Sequence, residues 1–341
     1  MIRECIAKLA ENKTLSRDEA HAAMLEIMGG EATPAQIASY ITALRIRGET
    51  PEVIAGSAAG MREKFTAVEA PGEIVVDTCG TGGDGAHTFN ISTASALVAA
   101  GAGVIVAKHG NRGVSSKCGS ADVLAALGVN LEIPAAQMSA CLKNLGIAFL
   151  FAPMLHPAMK FAIGPRREIG IRSIFNILGP LSNPAGARYG VLGVYDRELT
   201  VTLAEAAAAL GAIRLFVVHG LDGLDEITLT GPTRIAEVKD GVVTSYEVRP
   251  GDFGLRTCAK EALAGGEPAE NAKIIRNLLA GESGPRRDIV LLNSAAAIVA
   301  GGRAGDFAEG VKAAARAIDS GMALQKLDQL VAATRQAQAS T

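Results

Sequence analysis

The stretch DTCGTGGDG, residues 77–85, decides the fold of this chain. It follows a short apolar β-run, Ile74 to Val76, and precedes a helix predicted from Ser92 to Ala100, which begins with NIST, residues 90–93. A glycine-rich turn between a strand and a helix is typical of the βαβ units that build parallel sheets. We therefore predict an α/β fold with a mostly parallel central sheet.

The elements on both sides of this stretch extend the prediction. Further strands are predicted at 104–107, 147–151, 189–194 and 215–218, helices at 121–127 and 198–210, and a hairpin in which Asp240-Gly241 joins 234–238 to 242–248. Residues 1 to about 65 carry only helical patterns, with helix starts at Ser16, Thr33-Pro34 and Thr50-Pro51. The composition changes at Pro71-Gly72, so we predict a small all-helical domain over 1–66 and a large α/β domain from residue 72.

Composition limits the function. The 341 residues are 49% apolar, which is enough for a large core, and the formal charge of −2 argues against a general nucleic-acid or membrane-surface binder. The five cysteines are scattered and form no CxxC pair, so we expect a reducing compartment and no zinc site. The N-terminal residues lack an apolar signal-peptide core, and we expect a cytoplasmic protein.

The glycines of residues 77–85 predict an anion site. Glycine lets backbone N–H groups approach a phosphate closely, and a helix N-terminus adds partial positive charge. Gly80, Gly82 and Gly85 also fit GxGxxG, the dinucleotide fingerprint, but that motif expects an acidic residue after the next strand, where this chain has Lys108. The lysine favours a phosphorylated ligand over NAD; a tight turn without a ligand is the alternative.

A second polar segment follows the next predicted strand. KHGNR, residues 108–112, places two cations, an imidazole and an amide at the strand end, and hydroxyl or backbone donors follow at Ser115, Ser116, Lys117, Gly119 and Ser120. Parallel sheets usually bind ligands at this edge, so the two segments together predict a cradle for several phosphate oxygens. For Arg112 and Lys117 taken individually, a solvated basic turn explains the charge equally well.

Three further groups of residues are candidates for the same site. Asp225-Glu226 offers the carboxylates that Mg²⁺ prefers, although alone it would be an exposed acidic turn. One of Arg166, Arg167 and Arg172 is placed to hold a carboxylate, while at least one of the three is ordinary surface charge. His156 either touches a substrate ring or has a structural role.

These motifs resemble the anthranilate phosphoribosyltransferases of tryptophan biosynthesis. The resemblance covers essentially the whole chain and rests on DTCGTGGDG, NIST, KHGNR, GSADVL (119–124), RREIGIRSIFNILGPLSNP (166–184) and LDE (224–226). It implies the fold of the class II nucleoside phosphorylases and a homodimer formed through the helical domain. It also implies that about 158–180 completes the helical domain, leaving 72–157 and 181–341 as the α/β domain that binds phosphoribosyl pyrophosphate.

The resemblance also implies roles for individual residues. The phosphoribosyl pyrophosphate contacts would be Gly80, Gly82, Gly83, Asp84, Thr88, Asn90, Ser92, Thr93, Lys108 and Ser120. Mg²⁺ would be held by Ser92, Asp225 and Glu226. The anthranilate contacts would be Asn111 and Arg166, with His109, Pro153, His156 and Pro157 along its entry route. Lys108, Asp84 and Arg166 are the expected catalytic residues, and Gly113 and Cys118 depart from the usual family pattern.

The implied reaction is attack of the anthranilate amine on the ribose C1 with loss of pyrophosphate. Such a reaction needs in-line positioning and stabilisation of the departing charge rather than a protein nucleophile. Two rivals remain at this point. They are a pyrimidine nucleoside phosphorylase-like enzyme, which would not need Asp225-Glu226, and a non-enzymatic nucleic-acid-binding relative, which the net charge disfavours.

Overall fold

The computed structural model describes residues 1–113 and 117–336. The chain begins with four helices: α1 (Ile2–Ala10), α2 (Arg17–Gly29), α3 (Pro34–Arg47) and α4 (Pro51–Arg62). The side chains of Ser16, Thr33 and Thr50 accept the backbone N–H three residues onward and so cap α2, α3 and α4. The predicted helix starts and the all-helical N-terminal segment are confirmed.

A seven-stranded sheet forms the centre of the rest. Its strands are β1 (Val76–Gly80), β2 (Val106–Gly110), β3 (Ile147–Phe151), β4 (Tyr189–Gly193), β5 (Arg214–Gly220), β6 (Thr233–Lys239) and β7 (Val242–Val248). The spatial order is β3-β2-β1-β4-β5-β6-β7, parallel from β3 to β5 and antiparallel for the last two strands. Asp240 and Gly241, with φ of 52° and 82°, make the β6–β7 turn. The mostly parallel sheet and its hairpin are confirmed.

The first two strands begin and end later than predicted. β1 pairs with β4 along its whole length, from Val76 opposite Tyr189 to Gly80 opposite Gly193, instead of ending at Val76. In the same way β2 includes Lys108 and His109, which pair with β3. The prediction took the first polar residue as the strand end, but these polar side chains are buried and bond to one another. Residues of the candidate site therefore lie within β1 and β2 and not only in the loops that follow them.

Helices cover both faces of the sheet. They are α5 (Ile91–Gly101), α6 (Ser120–Leu127), α7 (Ala135–Leu145), α11 (Leu199–Ala209), α12 (Pro268–Leu279), α13 (Pro285–Ala300), α14 (Phe307–Asp319) and α15 (Met322–Gln336). One core packs α5, α13 and their neighbours against β1 and β2, and a second core joins α11, the other sheet face and the N-terminal helices. Within the described ranges, none of the helices combines the length and apolarity needed to span a bilayer.

Between β3 and β4 the chain forms three short helices, α8 (Ala152–Leu155), α9 (Lys160–Ile169) and α10 (Phe175–Leu178). α9 packs against α2 and α3 rather than against the sheet. The ring of Phe161 in α9 lies so close to Gly30 that a Cβ there would stand 2.7 Å from it. This segment therefore runs from the sheet edge onto the N-terminal helices and back.

Candidate active site at the carboxyl ends of β1 and β2

The glycine loop, which we define as residues 81–90, connects β1 to α5. Gly82, Gly83 and Gly85 have φ angles of 63°, 78° and 68°. Residues with a Cβ adopt this left-handed region only at a steric cost, so the path of the loop depends on glycine. The loop lies before the first turn of α5, where backbone N–H groups and the helix N-terminus favour an anion.

The acid pair, Asp225 and Glu226, lies directly on this loop. Asp225 Oδ2 accepts the N–H of Gly82 at 3.0 Å, and Glu226 Oε1 accepts the N–H of Ser92 at 3.0 Å. Asp84 Oδ2 in turn accepts the N–H of Asp225 at 3.4 Å. The structure thus brings together three carboxylates that the sequence analysis had assigned to one site from two distant segments.

The electrostatics of these carboxylates fit a divalent cation. Burial, followed by repulsion from the neighbouring carboxylates, raises the pKa of Asp225 and the pKa of Glu226. Each of the two accepts a backbone N–H through one oxygen. Oxygen ligands of this kind suit Mg²⁺, whose charge would relieve the repulsion. The donor set therefore fits the predicted magnesium.

Lys108 lies beneath the glycine loop and is only 4% exposed. Its Nζ donates to the backbone carbonyl of Thr78 at 2.5 Å and lies 3.4 Å from Ser92 Oγ, at the start of α5. Burial raises the pKa of Asp77 and the pKa of Glu226, and the charge of Lys108 offsets part of that rise. Lys108 is thus the buried cation of the site, between the strands and the acid pair.

Asn90, which the resemblance placed among the substrate contacts, is hydrogen-bonded to the protein through both of its side-chain polar atoms. Its Nδ2 donates to the Cys118 carbonyl at 3.0 Å, and its Oδ1 accepts from Asn271 Nδ2 at 3.0 Å and from the Cys118 thiol at 3.3 Å. Asn271 also accepts the N–H of Gly266 at 2.8 Å. Asn90 therefore fastens the glycine loop to α12. No local sequence signal identifies Asn271, because its partner is 181 positions away.

The two predicted threonines lie on either side of Asn90. Thr88 is half-buried and forms an isolated antiparallel bridge with Ala264. Thr93 is 1% exposed, and its hydroxyl is buried without a hydrogen-bond partner in the part of the chain that the structure describes. Thr88 therefore connects the glycine loop to the segment around Ala264. Thr93 is part of the packed first turn of α5.

The segment after β2 folds back onto α6. Ser120 Oγ donates to the Asn111 carbonyl at 3.3 Å, so these two predicted contacts are neighbours. The carboxylate of Asp122 accepts the N–H of Gly113 and the N–H of Gly119, both at 2.9 Å. Asp122 also pairs with Arg112 at 3.0 Å, which accounts for the charge of Arg112. The predicted donors Ser115 and Ser116 lie outside the described residues.

His109 and His156 form a buried pair. Their Nε2 atoms are 3.1 Å apart, and His109 Nδ1 lies 3.2 Å from the carbonyl of Gly179. Because a carbonyl only accepts, His109 carries its hydrogen on Nδ1, and His156 Nε2–H donates to the other nitrogen. Burial lowers the pKa of His109 to about 3 and the pKa of His156 to about 4, so both rings are neutral.

Asp77 connects β1 to β2 and to the segment that precedes β4. Its carboxylate accepts the N–H of His109 at 3.0 Å and Asn183 Nδ2 at 2.7 Å, and burial raises its pKa to about 6. Asp77, Cys79 and His109 place potential ligand atoms within 4.8 Å of one another. Burial raises the pKa of the Cys79 thiol, however, and Asp77 is already bonded on both oxygens. We interpret this group as a structural junction between β1, β2 and the segment before β4.

The three arginines of 166–172 differ in their surroundings. The Arg166 guanidinium lies 5.1 Å from the centroid of Phe175, and burial lowers its pKa. No carboxylate in the described chain pairs with Arg166. Arg172 instead reaches the glycine loop: it donates to the Gly83 carbonyl at 2.5 Å and lies 4.0 Å above the Tyr195 ring. Arg167 is exposed.

Comparison with known proteins agrees with this geometry. Residues 3–65 match the helical bundle domain of a glycosyl transferase family, and residues 72–324 match its a/b domain. The chain is 57% identical to the anthranilate phosphoribosyltransferase of Anaeromyxobacter dehalogenans over 334 residues, covering 98% of this chain and 99% of that one.

Two solved structures are similar along their whole length. The anthranilate phosphoribosyltransferase of Thermus thermophilus matches with a TM-score of 0.93 and 44% identity, over 97% of this chain and 99% of that chain. The Saccharomyces cerevisiae enzyme in complex with PRPP and Mg matches with a TM-score of 0.90 and 29% identity, over 98% of each chain. These matches confirm the resemblance and the enzyme class drawn from the motifs, and the chain belongs to the anthranilate phosphoribosyltransferase family.

Proposed function

We propose that this chain transfers the phosphoribosyl group of 5-phosphoribosyl 1-pyrophosphate to the amine of anthranilate. The products are N-(5-phosphoribosyl)anthranilate and pyrophosphate. The observation that carries the proposal is the contact of the acid pair with the backbone of the glycine loop, at Gly82, and with the first turn of α5, at Ser92. A glycine loop for a diphosphate and carboxylates for its metal belong together in such a transfer. A nucleoside phosphorylase would have no use for the acid pair.

In the proposed reaction the amine nitrogen forms a bond to C1 as the bond from C1 to the pyrophosphate oxygen breaks. The electron pair of the broken bond leaves with pyrophosphate, and the amine loses a proton. Backbone N–H groups of the glycine loop and the start of α5 would bind the departing phosphates, with Lys108 adding positive charge beneath them. Mg²⁺, held by Asp225 and Glu226, would supply further charge to the pyrophosphate.

Anthranilate would approach from the side of β2 and the segment between β3 and β4. Asn111 and the His109–His156 pair belong to that side, and the buried, neutral histidines add no charge there. Arg166 is the cation for the anthranilate carboxylate, because no protein carboxylate in the described chain neutralises it and burial strengthens its pairing with an incoming anion.

We also propose a homodimer formed through a helical domain that comprises 1–66 and about 158–180. Ile46 at the end of α3 is 80% exposed, and Ile163 and Phe161 on α9 are 45% and 36% exposed. Exposed apolar side chains on helices of this domain are candidates for a subunit interface. A cytoplasmic location accords with five cysteines of which none is disulfide-bonded in the described chain.

The decisive experiment mixes the purified protein with anthranilate, phosphoribosyl pyrophosphate and Mg²⁺ and follows the loss of anthranilate fluorescence. We expect the loss to require all three and to stop when the metal is chelated. A parallel reaction with pyrimidine nucleoside and orthophosphate should release no base. Unchanged anthranilate fluorescence, or release of base in the parallel reaction, would refute the proposal.

A further inference from the structure

The acid pair lies in a segment that has no regular structure of its own. Residues 221–232 connect β5 to β6, and every one of them falls outside the helices and strands of the described chain. Hydrogen bonds within helices or ladders therefore do not fix this backbone, yet it carries Asp225 and Glu226. Burial of Leu224 and Ile227 in the core and side-chain hydrogen bonds hold this segment instead.

Asn293 holds the backbone directly after Glu226. It lies in the middle of α13, is 2% exposed, and belongs to a run in which every residue from 289 to 300 is buried. Its Oδ1 accepts the N–H of Ile227, and its Nδ2 donates to the Ile227 carbonyl, both at 2.9 Å. One side chain thus satisfies both backbone groups of the residue that follows Glu226.

The remaining hydrogen of the Asn293 amide is also used, since Nδ2 donates to the Ile289 carbonyl one turn earlier at 2.9 Å. The amide is consequently held in one orientation by its own helix while it binds the loop. An apolar residue of equal size would pack on this helix face, so the polar group is explained by Ile227 and not by the packing of α13.

Asn293 also lies beside the carboxylates in space. It lines a small cavity together with Thr78, Ser92, Asp225 and Glu226. α13 is a rigid support for such a contact, because it packs against α5 and against β4. We call the two hydrogen bonds between Asn293 and Ile227 the Asn293 clamp. The clamp links the acid pair to the same helix layer that carries Ser92.

We infer that Asn293 is the positioning residue of the acid pair: by clamping Ile227 it sets the separation and direction of the Asp225 and Glu226 carboxylates and so the affinity for a divalent cation. The inference rests on the proposed function, in which these carboxylates hold Mg²⁺. Asp84, Asp225 and Glu226 repel one another, so without the Asn293–Ile227 hydrogen bonds we expect the two carboxylates to move apart. Loss of a group that orients metal ligands typically lowers metal affinity about 10–100-fold.

The test compares Asn293→Leu, which removes the amide at nearly constant volume, with Asn293→Ser, which retains one small hydrogen-bonding group. Asn130→Leu is the matched control, because Asn130 Nδ2 also bonds to a backbone carbonyl, that of Thr334, far from the acid pair. Mn²⁺ is the probe, and its binding in the presence of phosphoribosyl pyrophosphate is measured by electron paramagnetic resonance. Hydrogen exchange of the Ile227 amide is measured in parallel.

We expect the dissociation constant for Mn²⁺ to rise about tenfold or more in Asn293→Leu, less in Asn293→Ser, and not at all in Asn130→Leu. The Ile227 amide should exchange faster only in the Asn293 variants, while KM for anthranilate should stay unchanged. If Asn293→Leu does not fold, two other measurements test the inference. They are Mn²⁺ binding by Asn293→Ser and the protection of the Ile227 amide from hydrogen exchange in the unsubstituted protein.

Unchanged Mn²⁺ affinity in a folded Asn293 variant, or an unprotected Ile227 amide in the unsubstituted protein, would overturn the inference and leave the proposed function intact. An equal loss of affinity in Asn130→Leu would overturn it as well, since that result indicates a general effect on stability. Failure of the unsubstituted protein to bind Mn²⁺ and to consume anthranilate would overturn the proposed function together with this inference.

Discussion

Replacing His156 with glutamine should change how the stability of the protein depends on pH. The buried His156 has a pKa of about 4, against about 6.5 for a histidine in an unfolded chain. Between these two values the unfolded chain binds a proton that the folded protein does not, so stability falls as the pH falls. Above about pH 7.5, where neither state binds the proton, the contribution is fully present.

The magnitude follows from the same two values. Between about pH 7.5 and about pH 5, the unfolded histidine becomes almost fully charged while the folded one stays neutral. The corresponding loss of unfolding free energy is about 2 kcal/mol. His156→Gln cannot titrate, and its amide can still donate to His109 Nε2. Its unfolding free energy should therefore drop by about 2 kcal/mol less than that of the unsubstituted protein over this interval.

The measurement is urea unfolding followed by circular dichroism at the two pH values. Other buried groups, such as Asp77, also contribute to the pH dependence, but they are common to both proteins and cancel in the difference. The control is Phe65→Leu, because the Phe65 ring contacts the His156 ring edge-on, with centroids 6.0 Å apart, and does not titrate. This control should lose similar stability at both pH values. Identical pH dependence in His156→Gln and the unsubstituted protein would refute the argument.

Four further outcomes test the site and the interface. Lys108→Met should lower kcat/KM for phosphoribosyl pyrophosphate about 100-fold or more in steady-state assays, because it removes the buried cation; a change under about threefold would contradict that role. Arg166→Ala should raise KM for anthranilate about tenfold and leave KM for phosphoribosyl pyrophosphate nearly unchanged; equal effects on both would count against the assignment. Glu226→Gln should raise the Mg²⁺ concentration for half-maximal activity about tenfold, and an unaltered magnesium titration would remove it from the metal site. Ile46→Glu should convert a dimer to a monomer in light scattering, whereas a persistent dimer would place the interface elsewhere.

Much of the fold could be predicted from signals within short stretches of sequence. The capping residues Ser16, Thr33 and Thr50 predicted three helices, and the apolar runs predicted the strands, because both signals act over a few neighbouring residues. The prediction was least accurate at the ends of the strands. Polar residues such as Asp77 and Lys108 indicated loops, yet both are buried in strands because each finds its partner on a neighbouring segment.

In the candidate site, too, some residues could be predicted from the sequence and others could not. The glycine loop and the acid pair were predicted from residue types, and the acid pair only in combination with the predicted phosphate cradle. Asn271, Asn293 and Asn183 were missed, although each bonds to a residue of the site or its immediate neighbour. A single buried asparagine has no sequence signature, because its role depends wholly on the distant backbone or side chain that faces it.

The order of residues along the chain thus predicted the chemistry that we propose for this protein, with glycines for a diphosphate and carboxylates for a cation, and it predicted the helices of the N-terminal unit. Tertiary structure alone decided which of these groups meet, which of their oxygens remain for a ligand, and which rings are neutral. The physical reason is that conformational preferences extend over a few residues, whereas burial and electrostatic interaction depend on distances in space that only the packed sheet and helices establish.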